Sequence, residues 1–259
     1  MAETDEDARK AALALRMHRI VDWVGRGLGA ELVGLENLPT GRALLVANHA
    51  FGWDVIFAMS RIQQQTGRPV SALGEHAWGY FPGLRELART MGMLDGTPEN
   101  ADRVLGEDGL LLVLPGGLRE AVKPRELRYR LLWGERYGFV RAAIRNGAPL
   151  VPLACIGADD LFDFVGNAYT RGSRLLRRRG IPIPFPARVL PIPHRVRLRY
   201  VIGEPVQMTA PPDAENEPEV THRIRREIEG ALHELIDREL AARAGLDMGE
   251  SSRHSGDRK

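Results

Sequence analysis

The chain reads as an α/β protein, one domain with a largely parallel β-sheet flanked by helices, and three observations predict this. Five short apolar segments have strand character, at 42–47, 69–73, 110–114, 149–155 and 195–202. Between and after them lie segments with helical periodicity, at 54–65, 83–90, 98–107, 135–146 and 217–243. Strands joined through helices imply parallel pairing with right-handed crossovers. The chain has 259 residues, 44% hydrophobic and 27% charged, enough for one sizeable core and too apolar for a disordered chain.

Taken in order, residues 1–35 form an N-terminal amphipathic helical segment, 36–245 the main domain and 246–259 a disordered tail. Within 8–29, Leu13, Met17, Ile20, Val21, Val24 and Leu28 recur on one side of a helix. Arg9, Lys10, Arg16, Arg19 and Arg26 occupy other faces, with Trp23 at a boundary. Such a helix either lies in a membrane interface or packs on the protein's own core. The start is acidic (Glu3, Asp5, Glu6, Asp7), without a cleavable signal pattern, and no run reaches the ~18 apolar residues of a spanning helix. A cytoplasmic protein, peripheral on the inner face of the cell membrane, is expected.

The strand Ala43–Ala47 ends in Asn48-His49-Ala50-Phe51-Gly52-Trp53-Asp54. His49 thus sits on the turn leaving a strand, and Asp54 near the start of the next helix. Ligands of α/β proteins bind at the carboxyl ends of strands. A carboxylate behind an imidazole fixes its tautomer and supports its cation, which makes a general base. Asp54 as an ordinary helix N-cap is the competing reading. The strand at 110–114 runs into Pro115-Gly116-Gly117-Leu118-Arg119-Glu120. Paired glycines let backbone approach a ligand closely, and Arg119 offers a planar donor fork for phosphate or carboxylate. The plainer reading is a glycine turn with a surface Arg–Glu pair.

Cys155 is the single cysteine, which rules out an internal disulfide and suits a reducing compartment. Its place on the 149–155 strand marks it as a small buried apolar residue. The seven histidines are scattered without cysteine partners, so no metal site and no bound cofactor are expected. Only three of the 36 basic residues are lysines (Lys10, Lys123, Lys259), a bias that coding preference explains as readily as function.

From Phe164 to Gly203 there is no acidic residue, but there are nine arginines and the run Ile181-Pro182-Ile183-Pro184-Phe185-Pro186. Proline forbids a long helix there. A basic, proline-rich, irregular insert fits an anionic membrane surface, or else a long connection whose arginines pair with Asp159, Asp160 and Asp163. Nucleic acid is not an expected partner, because net charge is only +2 and no nucleic-acid motif is present. The helix at 217–243 carries Ile224, Ile228, Ala231, Leu232, Leu235 and Ile236 on one side.

Asn-His-x4-Asp after a strand, followed by a Pro-x-Gly-x-Arg turn, resembles the glycerolipid acyltransferases, which include glycerol-3-phosphate and lysophosphatidate acyltransferases. Their third block reads Phe-Pro-Glu-Gly-Thr-Arg; here Gly116 replaces the Glu, while Gly117 and Arg119 are kept. The Pro-Gly-Gly form with Glu120 soon after is more similar to the branch containing the diacylglycerol acyltransferases. Leu150-Val151-Pro152-Leu153-Ala154 matches the fourth block. Met91-Gly92-Met93-Leu94-Asp95-Gly96 keeps the outline of the second, with Gly96 where an Arg would stand. The resemblance covers about residues 40–205. It implies an O-acyltransferase moving a fatty acyl group from acyl-CoA or acyl carrier protein to a hydroxyl of a glycerolipid or lysophospholipid. His49 and Asp54 would be catalytic, and Asn48, Gly116, Gly117, Arg119 and Glu120 substrate-binding. Its partners would be the lipid substrate and an anionic membrane surface; oligomeric state, acyl length and acceptor identity stay open.

Two rivals are weighed. A serine hydrolase needs a Gly-x-Ser-x-Gly elbow, and none of the six serines has that context. A catalytically inactive membrane-binding protein of the same fold is the alternative that the Gly96 and Gly116 departures leave open.

Overall fold

The computed structural model describes residues 2–50, 54–74, 82–161, 164–167, 184–186 and 196–256. Side-chain positions are described for all of these except 2–7, 10, 54, 82–85, 164–167, 184–186 and 246–256. Seven strands form one sheet in the order β1-β9-β6-β2-β5-β3-β4. They are β1 (Glu31–Val33), β2 (Ala43–Ala47), β3 (Val70–Gly74), β4 (Met93–Asp95), β5 (Leu110–Val113), β6 (Leu150–Ile156) and β9 (Arg199–Ile202). All neighbours are parallel except β6 and β9. β7 (Phe164–Asn167) and β8 (Pro184–Pro186) make a separate antiparallel pair.

The central strands β2, β5 and β6 are buried at every position, as unbroken apolar runs require when both sheet faces are covered. Alternation sorts their side chains between two cores. Leu44 and Val46 join one core with α4 (Pro98–Gly106), α6 (Gly138–Asn146) and α7 (Pro218–Gly256); Ala43, Leu45 and Ala47 join the other with α2 (Asp54–Thr66). β2 therefore sends its following helix to one face, and its neighbour β5 sends its connection, through α5 (Gly117–Ala121), to α6 on the other. Adjacent strands whose connections part in this way leave a crevice at their carboxyl ends.

Two expectations gain detail and one needs correction. Residues 1–35 comprise α1 (Ala2–Gly27) and then β1, which pairs with β9 at the sheet edge. The sheet is largely parallel, as expected; the segment 195–202 supplies β9, whose pairing with β6 is antiparallel. The disorder expected from 246 is instead a continuation of α7 to Gly256. Extending an existing helix adds one bond per residue without a new nucleus. The strands β1 and β4 are three residues each, too short to show a pattern in sequence. Most of the basic 164–203 stretch lies outside the described residues.

α1 (Ala2–Gly27) packs on α2 with its polar side inward. His18 Nδ1 meets Ser60 Oγ at 2.8 Å, and Asp22 receives Arg61 at 3.0 Å and Arg26 at 3.1 Å. His18 and Asp22 are buried, while Leu13, Leu15, Ile20, Trp23, Val24 and Leu28 are exposed, Trp23 at 69%. Of the apolar side read from sequence, Val21 alone packs against the core.

Candidate active site

Three adjacent strands deliver the site. β2 ends into Asn48 and His49, β5 into the Pro-Gly-Gly turn and α5, and β6 into the 3-10 turn Ala158–Asp160. Asn48 is fully buried. Its Nδ2 donates to the Cys155 carbonyl at 3.0 Å and its Oδ1 accepts from the Cys155 N–H at 2.7 Å. The side-chain amide thus continues the β2–β6 ladder where the backbone turns away, satisfying both groups of Cys155. Cys155 is itself buried and forms no disulfide.

His49 is half-buried, and its backbone is held on both sides. Its N–H donates to Glu120 Oε1 at 2.7 Å, and its carbonyl accepts from Lys123 Nζ at 2.7 Å. Glu120 is 0% exposed and gives its second oxygen, Oε2, to the Leu132 N–H at 2.8 Å. Burial pushes the Glu120 carboxyl above the ordinary glutamate range, against the pull of Lys123, the two amides and the His49 charge. Lys123 is equally deep and pairs with Asp159 Oδ1 at 2.7 Å. Asp159 Oδ2 accepts from the Tyr129 N–H at 2.7 Å. The Tyr129 hydroxyl donates to Asp160 at 2.6 Å, and burial together with that carboxylate pushes the phenol upward.

The glycines have separate reasons. Gly117 holds φ at 53°, a left-handed conformation that side chains disfavour, and its N–H closes the turn onto the Leu114 carbonyl at 2.9 Å. Gly116 lies beneath Glu120, and a Cβ there would overlap the Glu120 carboxylate and Cβ. A side chain at 116 would therefore require Glu120 to move, which fits glycine at this position. Arg119 is exposed on α5.

Beside the turn, a cavity of about 730 Å³ opens between α4, α6 and the ends of β3 and β5. Leu44, Leu111 and Val113 floor it, and Pro115, Gly117 and Gly96 stand at its side. Its size is that of an ordinary small-molecule site. Arg136 and Arg141 add charge to the wall, Arg136 while donating to the Pro115 carbonyl at 2.7 Å. Among the described residues no set of three His, Cys, Asp or Glu is placed to hold a metal ion.

The structure thus brings Asn48, His49, Gly116, Gly117 and Glu120 together. Asn48 and Glu120, expected to touch substrate, have their polar atoms committed to backbone groups. Asp54 is the first residue of α2; its side chain, and all of Phe51–Trp53, lie outside the described residues. Sequence reasoning missed Lys123 and Asp159. The rarity of lysine in this arginine-rich chain was the available signal for the first; the second follows a strand end, as His49 does.

The diacylglycerol acyltransferase family profile matches residues 2–246. A mouse protein described as a DGAT1/2-independent enzyme synthesizing storage lipids is 29% identical over 212 residues, 81% of this chain and 60% of that one. An uncharacterised protein of Mycobacterium tuberculosis is 30% identical over 235 residues, 85% of this chain and 64% of the other. The chain spans about three fifths of the length of these curated relatives. The crystal structure of the 1-acyl-sn-glycerophosphate (LPA) acyltransferase PlsC of Thermotoga maritima has the same fold, with TM-score 0.56 at 17% identity over 89% of this chain and 83% of that one. With its profile match running through nearly every element of the fold, the chain belongs to the diacylglycerol acyltransferase family.

Proposed function

We propose that this protein transfers a fatty acyl group from a thioester, acyl-CoA or acyl carrier protein, to a hydroxyl of a glycerolipid or lysophospholipid. The observation that carries this reading is the meeting of the His49 turn with the Pro-Gly-Gly turn at the crevice between β2 and β5, beside a cavity with an apolar floor. As the acceptor oxygen attacks the thioester carbonyl, the His49 imidazole takes its proton. A C–O bond forms, the C–S bond breaks, and the leaving thiolate recovers the proton from the imidazolium. Asp54 orients the imidazole and supports its charge. The oxyanion donors lie elsewhere than the N–H groups of His49 and Gly117, which are committed to Glu120 and Leu114. Arg119, exposed beside the turn, anchors a phosphate of donor or acceptor. The cavity floor of Leu44, Leu111 and Val113 suits the acyl chain.

The same reading places the protein peripherally on a lipid surface, through the exposed apolar side of α1 and its flanking arginines. No helix among the described residues is long and apolar enough to cross a membrane. The test is incubation of the purified chain with labelled acyl-CoA, or acyl carrier protein, and lipid vesicles, resolving the lipid products. A labelled ester is expected from wild type, with His49→Ala slower by roughly 10²–10⁴-fold. A folded His49→Ala protein turning over at the wild-type rate would remove the base. No ester from wild type with either donor would favour the inactive membrane-binding alternative.

A further inference from the structure

We infer that Lys123, held by Asp159, is a positioning residue for His49: its ammonium fixes the His49 carbonyl, and so the direction in which the imidazole leaves the β2 turn. The inference rests on the acyltransfer reading for its kinetic consequence, but its structural consequence stands without it.

Four observations converge. Lys123 Nζ reaches the His49 carbonyl at 2.7 Å and Asp159 Oδ1 at 2.7 Å, with both side chains almost fully buried, at 2% and 4% exposure. The opposite side of the same peptide segment is held by Glu120, three residues before Lys123, through the His49 N–H at 2.7 Å. One short stretch of chain therefore grips a single residue by both its backbone groups, with an ammonium on the carbonyl and a carboxyl group on the N–H. Charge-assisted bonds are shorter and roughly twice as strong as neutral ones, which suits them to holding geometry. Third, the chain uses arginine for nearly every basic position, 36 basic residues including three lysines. A compact ammonium with rotatable donors reaches a carbonyl and a carboxylate at once, without the fixed planar fork of a guanidinium. Fourth, stability is a poor reason for the pair. Removing two charges from water costs several kcal/mol per ion, and apolar replacements of buried pairs are often neutral or stabilising. A buried charged pair aimed at the backbone of one functional turn is accounted for by the geometry it enforces. The ends of β2, β5 and β6 are thereby wired into one unit through His49, Lys123 and Asp159.

The test uses the full chain with Lys123→Met, Lys123→Ala and the charge-balanced double variant Lys123→Met/Asp159→Asn. The single variants strand a buried Asp159, and unfolding of either would be uninformative alone; the double variant removes both charges of that pair. In the double variant we expect a melting temperature near wild type and faster amide hydrogen exchange confined to the peptide around 44–56. The kcat should fall at least tenfold with KM within twofold. In Lys123→Ala, n-propylammonium should restore turnover, while n-propanol, with the same number of heavy atoms and no charge, should not. A folded double variant with wild-type exchange around His49 and wild-type kcat would overturn the inference, as would equal rescue by the neutral alcohol. If wild type transfers no acyl group, the acyltransfer reading falls, and the exchange measurement still decides the role of Lys123.

Discussion

Gly116 and Glu120 are sterically coupled. A methyl group at 116 would overlap the Glu120 side chain, which has no room to retreat at 0% exposure. Gly116→Ala is expected to lower stability by about 1–3 kcal/mol, the usual cost of overpacking, and to reduce turnover because displaced Glu120 releases the His49 N–H. Denaturant unfolding beside the acyl-transfer assay checks both. Glu120 also carries a pH signature. Its folded pKa is raised by burial, so the folded state holds a proton that the unfolded chain has already lost. Its contribution is full below the unfolded glutamate value of about 4.3 and is lost as pH rises through the folded value. Glu120→Gln removes this titration and leaves one amide poorly accepted, a constant offset of roughly 1–3 kcal/mol. The stability gap between wild type and Glu120→Gln should therefore narrow as pH rises from about 4.3 through the folded value. Thermal melts across that range would show it, and a gap that widened with pH would contradict the sign.

At the scale of elements, α1 is the informative one. Its polar residues His18 and Asp22 face α2, and burial pushes the His18 imidazole below its ordinary value. The exposed side presents Ile20 at 61% and Trp23 at 69%, among the exposed Arg16, Arg19 and Arg26. Large apolar side chains rimmed by cations suit the boundary between head groups and acyl chains. We expect wild type to co-sediment with anionic vesicles at low salt, and Ile20→Glu/Trp23→Glu to stay largely in the supernatant with an unchanged melting temperature. High salt should weaken only the charge contribution. Wild-type protein left in the supernatant with anionic vesicles at low salt would end the membrane assignment. The buried face of α7 poses a packing question instead: Ile228 is fully buried beside Leu232 and Ile224. Ile228→Ala should cost about 2–5 kcal/mol with the wild-type KM retained, as chemical denaturation and kinetics would report.

For the molecule as a whole, the sequence determined the α/β class, the places along the chain of the five strands it revealed, and the turn on which His49 stands. These depend on local periodicity, which each segment carries by itself. It determined too that α7 buries Ile224, Ile228, Leu232, Leu235 and Ile236, because a long helix repeats its pattern often enough to be read. Only the tertiary structure decided which side of α1 turns inward, since Ser60 and Arg61 outbid an apolar face with specific polar partners. Only it could show that Asn48 and Glu120 bind backbone, because their partners Cys155 and His49 lie 107 and 71 residues away in sequence. Lys123 and Asp159 were illegible as a pair for the same reason: buried charges find partners through the order β6-β2-β5 in the sheet, an order set by long-range packing that no local window of sequence contains.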